Sequence, residues 1–180
     1  MKKDINSNSY IFIYTILLAV IVAVLLTAAA LWLQPFQQHN KEMEKQRMVL
    51  SAAGVADDGS ITFVDGEYPI YYVNDTIKVL PMKGNGLWGP IWGYLAIAPD
   101  GETILGAVFD HESETPGLGG EITTAKFQGQ FRGKQLRNQG RPAPIEFYAI
   151  TGATKTSTGV KEMIDNTLQL YSPYLENTRR

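Results

Sequence analysis

Cysteine is absent from the 180 residues, which excludes disulfides, zinc–thiolate sites, cysteine-ligated iron–sulfur clusters and a cysteine nucleophile. Histidine is scarce: His39 and His111 are the only two, too few for a multi-histidine metal centre or an intramolecular pair of haem ligands. An excess of positive charge is missing as well. Sixteen Lys+Arg stand against 18 Asp+Glu, a formal net charge of -2, so there is no basic surplus to neutralise nucleic-acid phosphates. Charge of either sign makes up 19% of the chain, against about 25% in soluble domains. None of it falls between Asp4 and His39.

That gap holds an uncharged run from Tyr10 to Leu33 without proline or glycine. As a helix it covers about 36 Å, enough for a hydrocarbon core of roughly 30 Å with some tilt. Tyr10, Tyr14 and Trp32 fall near its ends, where amphipathic rings prefer the interface. A cleaved signal peptide is the rival reading, with Lys2 and Lys3 as its positive region. Its apolar core is normally about 7–15 residues, and Leu31-Trp32-Leu33 carries this one past the small residues Thr27–Ala30. The length argues for a retained anchor. Lys2 and Lys3 on one side and Lys41, Lys45 and Arg47 on the other nearly balance, so charge alone does not orient it.

After the anchor, Gln34-Pro35 is expected to break the helix, and Gln37–Ala53 to resume it as a juxtamembrane stalk ended by Gly54 and Asp57-Asp58-Gly59. The expected organisation is a tail at 1–9, a membrane helix at 10–33, a stalk at 34–53 and one domain at 54–180. Within that domain Ile61–Val64, Ile70–Val73 and Ile77–Leu80 read as strands. Tyr94–Ala98 and Thr103–Phe109 read as a hairpin about Pro99-Asp100-Gly101. Ile145–Ile150 is a further strand candidate. Val160, Met163, Ile164, Leu168 and Tyr171 then recur at helical spacing before Pro173. The class is α+β: one transmembrane helix, then a single mixed domain.

Three constellations bear on function, and each has a plain structural alternative. Thr151-Gly152-Ala153-Thr154-Lys155-Thr156-Ser157-Thr158 leads from the strand candidate into a helix start expected near Ser157 or Thr158. Such a turn suits a phosphate, through N–H groups, hydroxyls and Lys155, or is merely a hydroxyl cap. Asp110–Glu121 combines acids and His111 with Pro116, Gly117, Gly119 and Gly120. It is either a solvated loop or a backbone that lies close to a flat ligand. Lys83–Tyr94 alternates Trp88, Trp92 and Tyr94 with glycines, as core aromatics or as a wall for an aromatic cofactor.

Together these segments resemble one family. Asn85-Gly86-Leu87-Trp88-Gly89-Pro90-Ile91-Trp92-Gly93-Tyr94, then Glu114-Thr115-Pro116-Gly117-Leu118-Gly119-Gly120-Glu121, then Thr151-Gly152-Ala153-Thr154 are similar to the C subunit of the sodium-translocating NADH:quinone oxidoreductase. Phe127–Leu136 shares the resemblance, and the strongest likeness spans about Pro81 to Lys161. The motif pair is specific where either alone is weak.

The resemblance implies a single anchor followed by an FMN-binding domain, with FMN joined by a phosphoester to Thr154 through a separate flavin transferase. Thr151, Gly152, Ala153, Lys155, Thr156 and Ser157 would surround the phosphate. Glu114, Thr115, Gly117, Leu118 and Gly119 would follow the isoalloxazine, with Trp88 beside it. It further implies an electron carrier in the bacterial inner membrane, its domain on the periplasmic side, among lipid and the other subunits of a complex that oxidises NADH, reduces quinone and moves sodium. No side chain acts as a catalytic acid or base, no metal is expected, and NADH and quinone belong to other subunits. The alternatives are the G subunit of an Rnf-type ferredoxin:NAD oxidoreductase, which shares both motifs, and a tethered scaffold without cofactor. Tyr148 stands where the family has an aspartate read by the transferase.

Overall fold

A computed structural model describes residues 8–56, 59–138 and 141–176. Most of the tail expected at 1–9, and Asp57-Asp58 of the expected turn, lie outside the described residues. The chain divides into two compact units, Met1–Glu44 and Lys45–Arg180.

Helix α1 (Asn8–Ala53) begins in the first unit and ends in the second. It does not break at Pro35, which sits inside it. A proline removes one main-chain hydrogen bond and crowds the carbonyl four residues back, a local cost that does not oblige a helix to stop. The large apolar side chains from Ile11 to Leu33 are exposed, and the helix is long and apolar enough to cross a membrane. Thr15 and Thr27, the threonines of this stretch, donate to the carbonyls of Ile11 and Ala23 at 2.8 Å. Polar groups satisfied within the helix are what a lipid surrounding demands.

The second unit is built on a five-stranded antiparallel meander, β1 (Ile61–Val64), β2 (Ile70–Val73), β3 (Ile77–Asn85), β4 (Pro90–Ile97) and β5 (Ile104–His111), in sequential order. Each overlaps an expected strand, but β3 runs five residues beyond Leu80 and β4 begins at Pro90, four residues ahead of Tyr94, because 81–85 pair with 90–94. The turn between β4 and β5 is held by Asp100, whose Oδ1 accepts from the N–H groups of Glu102 and Thr103 at 2.8 and 2.9 Å.

Side chains alternate across the sheet, as period-two geometry requires. Leu80, Met82, Leu95, Ile97 and Phe109 face one layer, made by Val160, Met163, Ile164 and Tyr171 of helix α3 (Thr154–Glu176) and by Ile122, Phe127 and Phe131. The last three come from the short helix α2 (Ala125–Gln128) and the two 3-10 turns that flank it. Val79, Tyr94, Ala96, Tyr71 and Val73 face the other layer, closed by Val49, Leu50, Ala52 and Ala53 of α1. The end of the expected stalk is therefore packed core. A minimal ribbon, β6 (Arg137–Asn138) with β7 (Arg141–Pro142), completes the unit.

Two further expectations are corrected. Ile145–Ile150 is not a strand. It alternates in burial, with Ile145 buried and Phe147 packed on Phe127 and Phe131, but has no ladder partner. The Gln130 amide takes that place, Oε1 accepting from Tyr148 N–H at 2.7 Å and Nε2 donating to Tyr148 O at 3.3 Å. Helix α3 starts at Thr154, ahead of Ser157, and continues through Pro173 to Glu176. Its far end is tied to the sheet by Tyr171 Oη donating to Pro69 O and Lys78 Nζ donating to Tyr174 O.

Candidate cofactor site

The three motif segments meet at one end of the sheet, around Glu114. This carboxylate is 4% exposed. Oε1 accepts from Trp88 N–H at 2.8 Å, on the turn between β3 and β4. Oε2 accepts from Thr156 Oγ1 at 2.6 Å, on the first turn of α3. The Glu114 N–H in turn donates to His111 Nδ1 at 3.2 Å. Burial pushes the Glu114 carboxyl up, but the donors Thr156 Oγ1 and the N–H groups of Trp88 and Leu87 outweigh it and hold the group below the usual carboxylate range. The space is cut for this contact: a methyl on Gly119 would strike Glu114 Oε2 and come within 2.7 Å of Thr156 Oγ1.

The hydroxyl-rich turn sorts its side chains by environment. Thr156 is committed to Glu114. Ser157, also buried, donates to Ala153 O and accepts from Ile150 N–H, both at 3.0 Å. It therefore ties the turn to the helix from inside, and, lying within α3, it is not the N-cap that the alternative reading expected. Thr158 Oγ1 donates to Thr154 O at 2.9 Å. Thr154 itself, the first residue of α3, is exposed and its hydroxyl makes no hydrogen bond among the described residues. Thr151 and Lys155 are exposed, and Ala153 is buried. The N–H groups at this helix start have no intrahelical partner and favour an anion.

Beside the turn lies an apolar rim. Leu118, 42% exposed, rests its Cδ2 where a side chain at Gly152 would begin, 3.0 Å away; Gly152 has φ +80°, a conformation that L side chains avoid. Thr115 and Gly117 are exposed loop positions, and Thr115 O accepts from the N–H groups of Leu118 and Gly120. Trp88 is 66% exposed and Tyr148 87%, so Tyr148 is not packed against a sheet. A cavity of about 350 Å³ opens at Thr154, lined by Ile145, Phe147, Ala149, Thr158 and Lys161. Another of about 270 Å³ reaches Thr151 past Gln130 and Tyr148. A third, about 360 Å³, between Asp100, Leu136, Leu168 and Leu175, contains no residue of the three motif segments.

Thr154, Leu118 and Gly152 are thus brought together on the surface, while Glu114, Gly119, Thr156 and Ser157 form the support beneath. Gln130 and His111 take part without having been singled out as site residues. Gln130 lies in a motif-like segment, yet only its contact with Tyr148 reveals its use. A helix N-terminus with a free hydroxyl, an apolar rim and a glycine-shaped turn suits a phosphate-bearing aromatic cofactor.

Residues 86–169 match the FMN-binding domain family. The chain is 31% identical to the C subunit of the Na(+)-translocating NADH-quinone reductase of Chlamydia muridarum, over 86% of this chain and 61% of that protein. It is 28% identical to the corresponding Haemophilus ducreyi protein, over 97% of this chain and 95% of that one. The crystal structure of the Parabacteroides distasonis C subunit superposes with a TM-score of 0.67 at 29% identity, covering 79% of this chain and 96% of that one. Fold and site together define an FMN-binding-domain protein that carries one N-terminal apolar helix. Over most of its length the chain is similar to the C subunits of the Na(+)-translocating NADH-quinone reductases. These likenesses favour the C-subunit reading over the Rnf-type G subunit and the cofactor-free scaffold.

Proposed function

We propose that this chain is the electron-carrying C subunit of a sodium-pumping NADH:quinone oxidoreductase, with FMN held by a phosphoester to Thr154. The observation that carries the reading is the sorting of hydroxyls: from Thr154 to Thr158, all but that of Thr154 are used inside the protein. When bound, the flavin supplies the electron transfer, and the protein supplies position and surroundings. The first turn of α3 directs N–H groups at the phosphate, Leu118 and Trp88 offer apolar surface to the ring, and Thr151 and Lys155 flank the attachment point. A covalent bond suits a domain on the outer face of the inner membrane, where lost cofactor is not replaced.

In this reading residues 10–33 span the membrane, 34–53 join the span to the domain, and NADH and quinone bind the other subunits. A flavin transferase makes the bond during maturation. The test is flavin fluorescence of the denatured chain after co-expression with such a transferase. Wild type retains flavin, and Thr154→Val, which keeps the shape but lacks the oxygen, retains none. Equal fluorescence in the two would overturn the attachment site.

A further inference from the structure

Lys78 and Glu114 are the buried charged side chains among the described residues. Lys78 is explained by the end of α3, to which it donates. Glu114 is not explained by flavin attachment, because its oxygens point into the protein. It bridges segments far apart in sequence, 26 residues back to Trp88 and 42 forward to Thr156. Fixing such distant segments costs chain entropy, and a core of apolar side chains would close the same gap without a buried charge. The arrangement is also steric. Methyl groups at Gly86 or Gly119 would collide with one or other carboxylate oxygen, so both glycines are shaped to this carboxylate.

We propose that Glu114 is a positioning residue of the flavin site: it couples the Leu87-Trp88 turn to the first turn of α3, so that the apolar rim and the Thr154 hydroxyl are held as one body. The proposal rests on the flavin reading above for its purpose, but the coupling itself is a property of the protein alone. One carboxylate suits the task because each oxygen accepts from a different segment. Donors to an ionised acceptor form the stronger class of hydrogen bond. Thr156, two residues after Thr154, is where the link enters the helix. Trp88, on the opposite arm, reports from the rim.

The experiment compares full-length wild type, Thr156→Val and Thr156→Ser in detergent, with and without flavin. In the flavin-free protein, Thr156→Val should speed amide hydrogen exchange at Leu87 and Trp88 about tenfold, while amides of β4 and β5 keep their protection and Thr156→Ser stays near wild type. In the loaded protein, Thr156→Val should lower flavin fluorescence anisotropy and shift its midpoint potential, and Thr156→Ser should restore both. Unchanged exchange at Leu87 and Trp88 in folded Thr156→Val, or a serine variant no better than valine, overturns the proposal. If the valine variant fails to fold, Thr156→Ala decides. Alanine lacks the hydroxyl and suits a helix turn, so protection must fall at Leu87-Trp88; protection kept there refutes the coupling. Wild type that carries no covalent flavin would refute the flavin reading instead, and leaves the exchange result standing on its own.

Discussion

Thr154 and Thr156 are separated by one residue, yet one hydroxyl faces outward and the other is committed to Glu114 inside the protein. Helical geometry accounts for it, since residues two apart lie on opposite sides of the axis. Thr151→Val should accordingly leave covalent flavin in place while Thr154→Val removes it, as read by fluorescence of the denatured protein. Gly119→Ala should destabilise the domain by about 1–3 kcal/mol, measured by denaturant melts, because the new methyl meets a charged oxygen and not a yielding side chain.

Glu114 also gives the stability a pH dependence. Its folded value lies below the ordinary carboxylate range, so its contribution is complete above that range, at about pH 4.3 and higher, and is lost as pH falls through the depressed folded value. The groups facing it are His111 from the end of β5, Thr156 from α3 and the main chain of Leu87 and Trp88. Acidification below about pH 4.3 should therefore lower the melting temperature of wild type more than that of Glu114→Gln. Parallel curves for the two proteins would remove Glu114 from the account.

Among the elements, the segment 145–150 is the instructive one. Its alternating burial imitates a strand, because Ile145 and Phe147 fill the core beside Phe127 and Phe131. What makes a strand is a neighbouring main chain, and here a single glutamine side chain substitutes for one. Periodicity reports which side chains are buried and is silent on where the main-chain groups find partners. Tyr148 is left almost fully exposed, which bears on the one departure from the family motif. Tyr148→Asp should change the melting temperature little, as expected of a surface position, and should raise the fraction of covalent flavin on co-expression. A large loss of stability, or no rise in flavin, would show that this position does not govern attachment. The early start of α3 has a related cause: threonines disfavour helix interiors only mildly, and Glu114 secures Thr156 there from another part of the chain.

For the whole molecule, the end of α1 belongs to the packing of the domain. Val49, Leu50, Ala52 and Ala53 close one face of the sheet. A chain lacking residues 1–33 should be soluble and folded, whereas one lacking 1–53 should unfold or aggregate, because that face is left bare. Leu50→Ala within the shorter soluble form should cost about 2–5 kcal/mol, as for other buried leucines. Thermal melts of the three proteins check this, and equal stability with and without residues 34–53 would contradict it.

The apolar run from Tyr10 to Leu33, the strands of the meander and the phase of α3 were all legible in the order of residues. Each depends on hydrophobic period and length, which are local properties of the chain. The glycine-rich loop and the TGAT turn were visible as motifs, but not the division of labour within them. Whether Thr154, Thr156 or Ser157 offers its hydroxyl to a ligand, and whether Glu114 meets a cofactor or holds the fold, depends on partners 7 to 42 residues away. Those choices belong to the tertiary structure, because a buried polar atom must find its partner wherever the fold brings one within hydrogen-bond distance.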